Sequence, residues 1–93
     1  MLEIEWSQAA RADLLAIVDY ISDDNPDAAQ RLKDDVEHRT AQLREFPMAY
    51  RPGRVEGTRE LVARDNYIVV YTHDLFAVRV LRVLHAAQHW PRN

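Results

Sequence analysis

The chain has no cysteine, which removes disulfides, thiolate metal centres and thiol nucleophiles from its chemistry and is compatible with a reducing compartment. Neither a glycine-rich phosphate loop, a GxSxG elbow nor an HExxH pair occurs. The opening residues MLEIEW carry two glutamates and no basic cluster, so no secretory leader is expected. No apolar run approaches the ~20 residues that a membrane-spanning helix needs. These absences lead to the expectation of a cytoplasmic protein without membrane association or cofactor.

What is present fits one domain spanning residues 1–93, and a chain of this size buries roughly 60 to 65% of the surface its unfolded form exposes. The formal net charge of −3 conceals a division: residues 1–46 hold 11 acidic and 5 basic side chains, residues 47–93 only 4 acidic against 7 basic. An acidic first half and a basic second half predict that the second half meets something anionic, unless the two halves satisfy each other.

Leu2, Ile4 and Trp6 alternate with Glu3 and Glu5, the period-two pattern of a short strand with one buried face. Ser7 follows as a good N-cap, since its hydroxyl can accept from an unsatisfied amide of a first helical turn. Ala10, Leu14, Ile17, Val18 and Ile21 then gather on one helical stripe. The Asn25-Pro26 pair stops this helix and starts another, because proline excludes the α conformation from the residue before it and suits the first helical position. The second helix is expected to run from Pro26 to about Phe46, antiparallel to the first, with Ala29, Leu32, Val36, Leu43 and Phe46 facing inward. Arg39 falls on that stripe, where it could snorkel, pair with an aspartate of the first helix or face a partner.

Pro47 ends the helix, and PMAYRPGRVEG holds both glycines of the chain, a loop in which Pro52 and Gly53 favour a turn. Three runs rich in Val, Ile, Leu and Tyr follow, Thr58 to Ala63, Tyr67 to Thr72 and Ala77 to Leu84, separated by polar breaks, and they predict an antiparallel meander. The order βααβββ is an α+β arrangement: a small antiparallel sheet with a two-helix hairpin packed on one face. No segment is evident to cover the other face of that sheet, so a site is expected there.

The candidate chemistry lies in and after the loop. Arg51, Arg54, Arg59, Arg79 and Arg82 are potential phosphate ligands through their guanidinium forks. Strict alternation along the last strand would send Arg79 and Arg82 to opposite faces. Histidine as a residue type suits proton transfer near neutrality, and His85 stands at the end of the last strand. It could serve RNA cleavage as base or acid, with Arg59 and either Arg79 or Arg82 as the cations, or it could cap backbone carbonyls or pack on Trp90. Tyr67 and Tyr71 share a face, where either could stack on a base or belong to the core. His85 and His89 have metal-pair spacing only if that segment is helical, and they lack a third ligand, so no metal is expected.

GRVEGTRELV, YIVVY and VRVLRVLHAAQHWP, after an EW, helix, DNP and helix beginning, resemble the RelE/ParE superfamily of toxins from bacterial type II toxin-antitoxin modules, also described as plasmid stabilisation proteins. The resemblance covers essentially the whole chain. It implies two helices on a small antiparallel sheet, a cognate antitoxin that wraps the toxin, and operator DNA binding only through that antitoxin. It also implies one of two activities. RelE-like members cut ribosome-bound mRNA, for which His85, Arg59 and Arg82 would be catalytic and Arg51, Arg54, Arg79 and Tyr71 would bind substrate. ParE-like members poison DNA gyrase without nuclease activity. The first is the leading expectation and the second the alternative, although the chain lacks the basic composition and C-terminal tyrosine helix of well-known nucleases.

Overall fold

The computed structural model describes residues 2–88, 90 and 91. The elements run β1 (Glu3–Trp6), α1 (Gln8–Ser22), α2 (Pro26–Gln42), β2 (Arg51–Pro52), β3 (Arg59–Val62), β4 (Tyr67–His73) and β5 (Ala77–His85), with a 3-10 turn at Arg64–Asn66. The α+β class is as expected, with one addition, the short β2. Both helix starts follow the sequence signals: Ser7 accepts from the Ala10 amide at 3.0 Å and Asn25 from the Ala28 amide at 3.0 Å, each satisfying a donor that has no partner inside its helix. The second helix stops earlier than the expected Phe46. Its final turn loosens after Gln42, where Leu43 and Arg44 bond back to Thr40 and Ala41, so Pro47 follows the end of the helix without causing it.

The sheet order is β1-β5-β4-β3-β2. The meander β3-β4-β5 is antiparallel, as is β2-β3, but β1 runs parallel to β5, with Glu3 beside Ala77 and Trp6 beside Val80. The sheet is therefore mixed. A parallel neighbour needs a crossover connection, and the whole helical hairpin with the meander supplies it.

One face of the sheet packs on the helices. Leu61, Ala63, Val69, Tyr71, Val78, Val80 and Val83 meet Ala10, Leu14, Leu32, Val36 and Leu43, with Ile17, Val18 and Ile21 at the margin. The α1 stripe read from the sequence is thus the one that packs. Arg39 turns to Asp35 of its own helix at 3.2 Å instead of to the first helix, while the other oxygen of Asp35 accepts from the Arg64 amide at 3.1 Å.

The opposite face is not bare. Ile68, Val70 and Leu84 form a second buried cluster on which Trp90 packs, and the Arg54 guanidinium donates to the Gln88 carbonyl at 3.1 Å. The expectation of an uncovered face fails because β5 ends at His85 and the chain folds back: the Ala86 amide bonds to the Asn66 carbonyl at 2.8 Å. Its apolar residues draw the tryptophan onto them.

The two glycines serve the loop between β2 and β3. Any side chain on Gly53 would collide with Thr58, and Gly57 has a φ of 85°, a region that costs L-residues with a Cβ.

Candidate functional site

A register shift governs where the arginines of β5 lie. Thr72 pairs with Arg79 and Tyr71 with Val80, but Val70 pairs with Arg82, leaving Leu81 as an extra residue. Such a bulge inserts one residue and resets which side chains share a face. Arg79 and Arg82 therefore both stand on the face opposite the helices, and the expectation that they diverge is corrected. Alternation holds only while pairing is regular.

Sharing a face does not bring their charges together. Asp13 of α1 takes Arg82 in a two-pronged pair, Nε to Oδ2 at 2.7 Å and Nη2 to Oδ1 at 2.9 Å, and it also accepts from the Val83 amide at 2.9 Å. β1 ends opposite Val80, so beyond that point the edge of β5 has no strand beside it, and Asp13 satisfies the exposed amide there. Ser7 does the same for the bulge: its hydroxyl donates to the Leu81 carbonyl at 2.8 Å. The hydrogen bonds that Arg82 donates to the Asp13 carboxylate raise its pKa further. Arg79, at the other end, pairs with Asp74 at 2.6 Å and Glu5 at 3.3 Å.

Arg51 and Arg54 converge on Glu60, a carboxylate only 3% exposed. Oε1 accepts from Arg51 at 3.1 Å, while Oε2 accepts from the Arg54 amide at 2.9 Å and lies 3.4 Å from the Arg54 guanidinium. A buried carboxylate is tolerated when its lone pairs are filled by donors of this kind. Glu60 is the central residue of this network, and the sequence reading passed over it. Its signal was the single acidic position in the run from Thr58 to Ala63.

Arg59 and Tyr71 face the helices together, as cross-strand partners. The Arg59 guanidinium donates to the Tyr50 carbonyl at 2.7 Å, and the Tyr71 hydroxyl to the Pro47 carbonyl at 2.6 Å. Both tie the loop after α2 to the sheet. Tyr71 is fully buried, so it belongs to the core and presents no ring for a base to stack on. Burial pushes its phenol up to about 12. A raised folded-state value favours the neutral form, so this contribution to stability is complete below the ordinary tyrosine value near 10 and is lost as pH rises through 12. An absorbance titration is expected to show a tyrosine ionising near pH 12 that Tyr71→Phe abolishes. Ionisation of every tyrosine near 10 would contradict the packing.

His85 pairs with Tyr67 across the strands and meets its ring edge-on, with centroids 5.2 Å apart. Its Nδ1 accepts from the Ala87 amide at 3.2 Å, which in the neutral ring places the proton on Nε2. His85 shares the helix-side face with Val83, whereas Arg82 rises from the other. His89 lies outside the described residues. Among the described residues no group of three or more His, Asp or Glu side chains is placed to hold a metal ion, and no helix is long and apolar enough to cross a membrane.

The sequence matches the model of the ParE toxin of type II toxin-antitoxin system, parDE, over residues 4–90. The chain belongs to the ParE toxin family. It is 41% identical over 92 residues to a Sinorhizobium fredii protein named toxin Y4kP, covering 96% of this chain and 93% of that one. Toxin RelE2 of Caulobacter vibrioides is 35% identical over 88 residues, covering 95% and 99%. Among solved structures, the chromosomal ParDE system of P. aeruginosa superimposes with a TM-score of 0.82 at 25% identity, covering 91% of this chain and 96% of that one. The ParE family thus sits within the expected superfamily, and it corresponds to the branch that the sequence reading held as the alternative.

Proposed function

We propose that this ParE-family toxin arrests growth by binding DNA gyrase, without cutting nucleic acid, and that a cognate antitoxin neutralises it. The observation that carries this reading is the dispersal of the nuclease candidates. Cleavage through a 2′-hydroxyl needs an acid, a base and a cation within reach of one phosphate. Here Arg82 is held by Asp13, Arg59 by a loop carbonyl, and His85 has its only lone-pair nitrogen engaged by a backbone amide. The net charge of −3 also gives no long-range attraction to RNA.

Purified toxin is expected to inhibit supercoiling by gyrase and to accumulate cleaved DNA, while ribosome-bound message in a translation extract stays intact. His85→Ala is expected to leave growth arrest within about twofold of the parent. Cleaved message, or arrest abolished by His85→Ala with the fold intact, would restore the mRNA endonuclease reading, in which Arg51, Arg54 and Arg79 would bind the RNA. Operator DNA is expected to shift only when the antitoxin is present; the similar P. aeruginosa structure is that of a ParDE toxin-antitoxin system.

A further inference from the structure

The turn between β4 and β5 holds two large apolar side chains in solvent: Leu75 is 87% exposed and Phe76 77%. Single exposed leucines are ordinary. Two adjacent large apolar side chains on a turn fixed by five hydrogen bonds are not explained by folding. Asp74 Oδ1 accepts from the Phe76 amide at 2.8 Å and the Ala77 amide at 3.0 Å, and Oδ2 accepts from Arg79 at 2.6 Å. The Asp74 amide bonds to the Ala77 carbonyl at 3.0 Å, and the Phe76 carbonyl accepts from the Glu3 amide of β1 at 3.1 Å. The Phe76 amide chiefly, with Arg79, holds the Asp74 carboxyl at about 2, so the bonded turn persists throughout the physiological range.

A turn whose backbone is fixed before binding has little backbone freedom left to lose when its side chains are buried, which favours an interface anchor. The surroundings of the tip specify the partner. Glu3 and Glu5 are exposed beside it, and Arg79, the neighbouring cation, is already shared between Asp74 and Glu5. This acidic rim repels a phosphate backbone and favours a protein cleft that is apolar within and basic at its edge. We propose that the Leu75–Phe76 tip is the element by which the toxin docks on its target protein, inserting into an apolar cleft with basic rims. The identity of that target as gyrase rests on the function proposed above; the docking role of the tip does not.

The test compares the full chain with Leu75→Ser/Phe76→Ser and with the conservative Phe76→Leu. Circular dichroism and thermal melting are expected to be unchanged, since neither side chain supports the core. Loss of an aromatic anchor and its neighbour corresponds to a weakening of about 30-fold or more, so the double variant is expected to require at least that excess to inhibit supercoiling and to lose growth arrest, while Phe76→Leu retains most of both. If the folded double variant arrests growth like the parent, the proposal is overturned. If the parent arrests growth without inhibiting gyrase and the double variant does not arrest it, gyrase is the wrong target and the tip stands. Sedimentation supplies the remaining arm: a parent dimer that the double variant converts to monomer assigns the tip to self-association and overturns docking on a target.

Discussion

Replacing Asp13 with alanine is expected to destabilise the fold by about 2 to 3 kcal/mol, a loss of roughly 10 to 20 °C in melting temperature for a domain of this size. One carboxylate does two jobs. It neutralises Arg82 through both oxygens and satisfies the Val83 amide, where β1 no longer covers the edge of β5. Arg82 remains partly exposed, at 34% against 17% for Asp13, so solvent screens the ion pair and its share is smaller than for a fully buried pair. The unsatisfied Val83 amide supplies the rest. Asp13→Asn keeps an acceptor for that amide and is expected to cost about half as much. Denaturant unfolding of the three proteins checks the order. A melting temperature for Asp13→Ala within about 3 °C of the parent would mean that water replaces the carboxylate at no cost.

Glu60→Ala is expected to cost about 1 to 2 kcal/mol, the scale for losing a charged acceptor whose donors, on Arg51 and Arg54, stay partly open to solvent. Its distinguishing sign is local. The Arg54 amide and the guanidinium groups of Arg51 and Arg54 lose their common acceptor, and Arg54 is also the residue that holds the Gln88 carbonyl. Amide exchange is therefore expected to rise in residues 53–58 and again in residues 86–88, far apart in sequence and joined through Arg54, which this carboxylate holds. Exchange that rises in the first segment alone would show that the C-terminal turn is held by Trp90 on Ile68, Val70 and Leu84 without help from Arg54. The double variant Glu60→Ala/Arg54→Ala separates the two contributions, because a shared network gives effects that do not add.

These two carboxylates also explain why the arginines of the basic half read so differently once folded. In the sequence, Arg51, Arg54, Arg79 and Arg82 form a reservoir of positive charge suited to phosphate. In the structure each has a carboxylate of its own chain: Glu60 for the first two, Asp74 and Glu5 for the third, Asp13 for the fourth. Glu60 and Asp74 lie within ten residues of the arginines they bind, but Asp13 and Arg82 are 69 residues apart, and Glu5 and Arg79 are further apart still. No local pattern announces a pairing of that separation. The charge division between the halves thus reflects acidic helices and arginine-bearing strands satisfying each other in part, alongside any role in binding.

The sequence by itself determined the local elements and the family. Ser7 and the Asn25-Pro26 pair set the helix starts by supplying acceptors and a preset φ. The 3.6 and 2.0 periodicities chose helix and strand, and the RVLH ending after YIVVY carried the resemblance. The tertiary structure alone decided three things: the parallel pairing of β1 with β5, the bulge at Leu81 that brings Arg79 and Arg82 to one face, and the return of the chain that lays Trp90 over the second cluster. All three depend on which backbone groups find partners across distant strands. A strand's own side-chain pattern records which faces are apolar, and it does not record where its neighbour ends or where one residue is left unpaired.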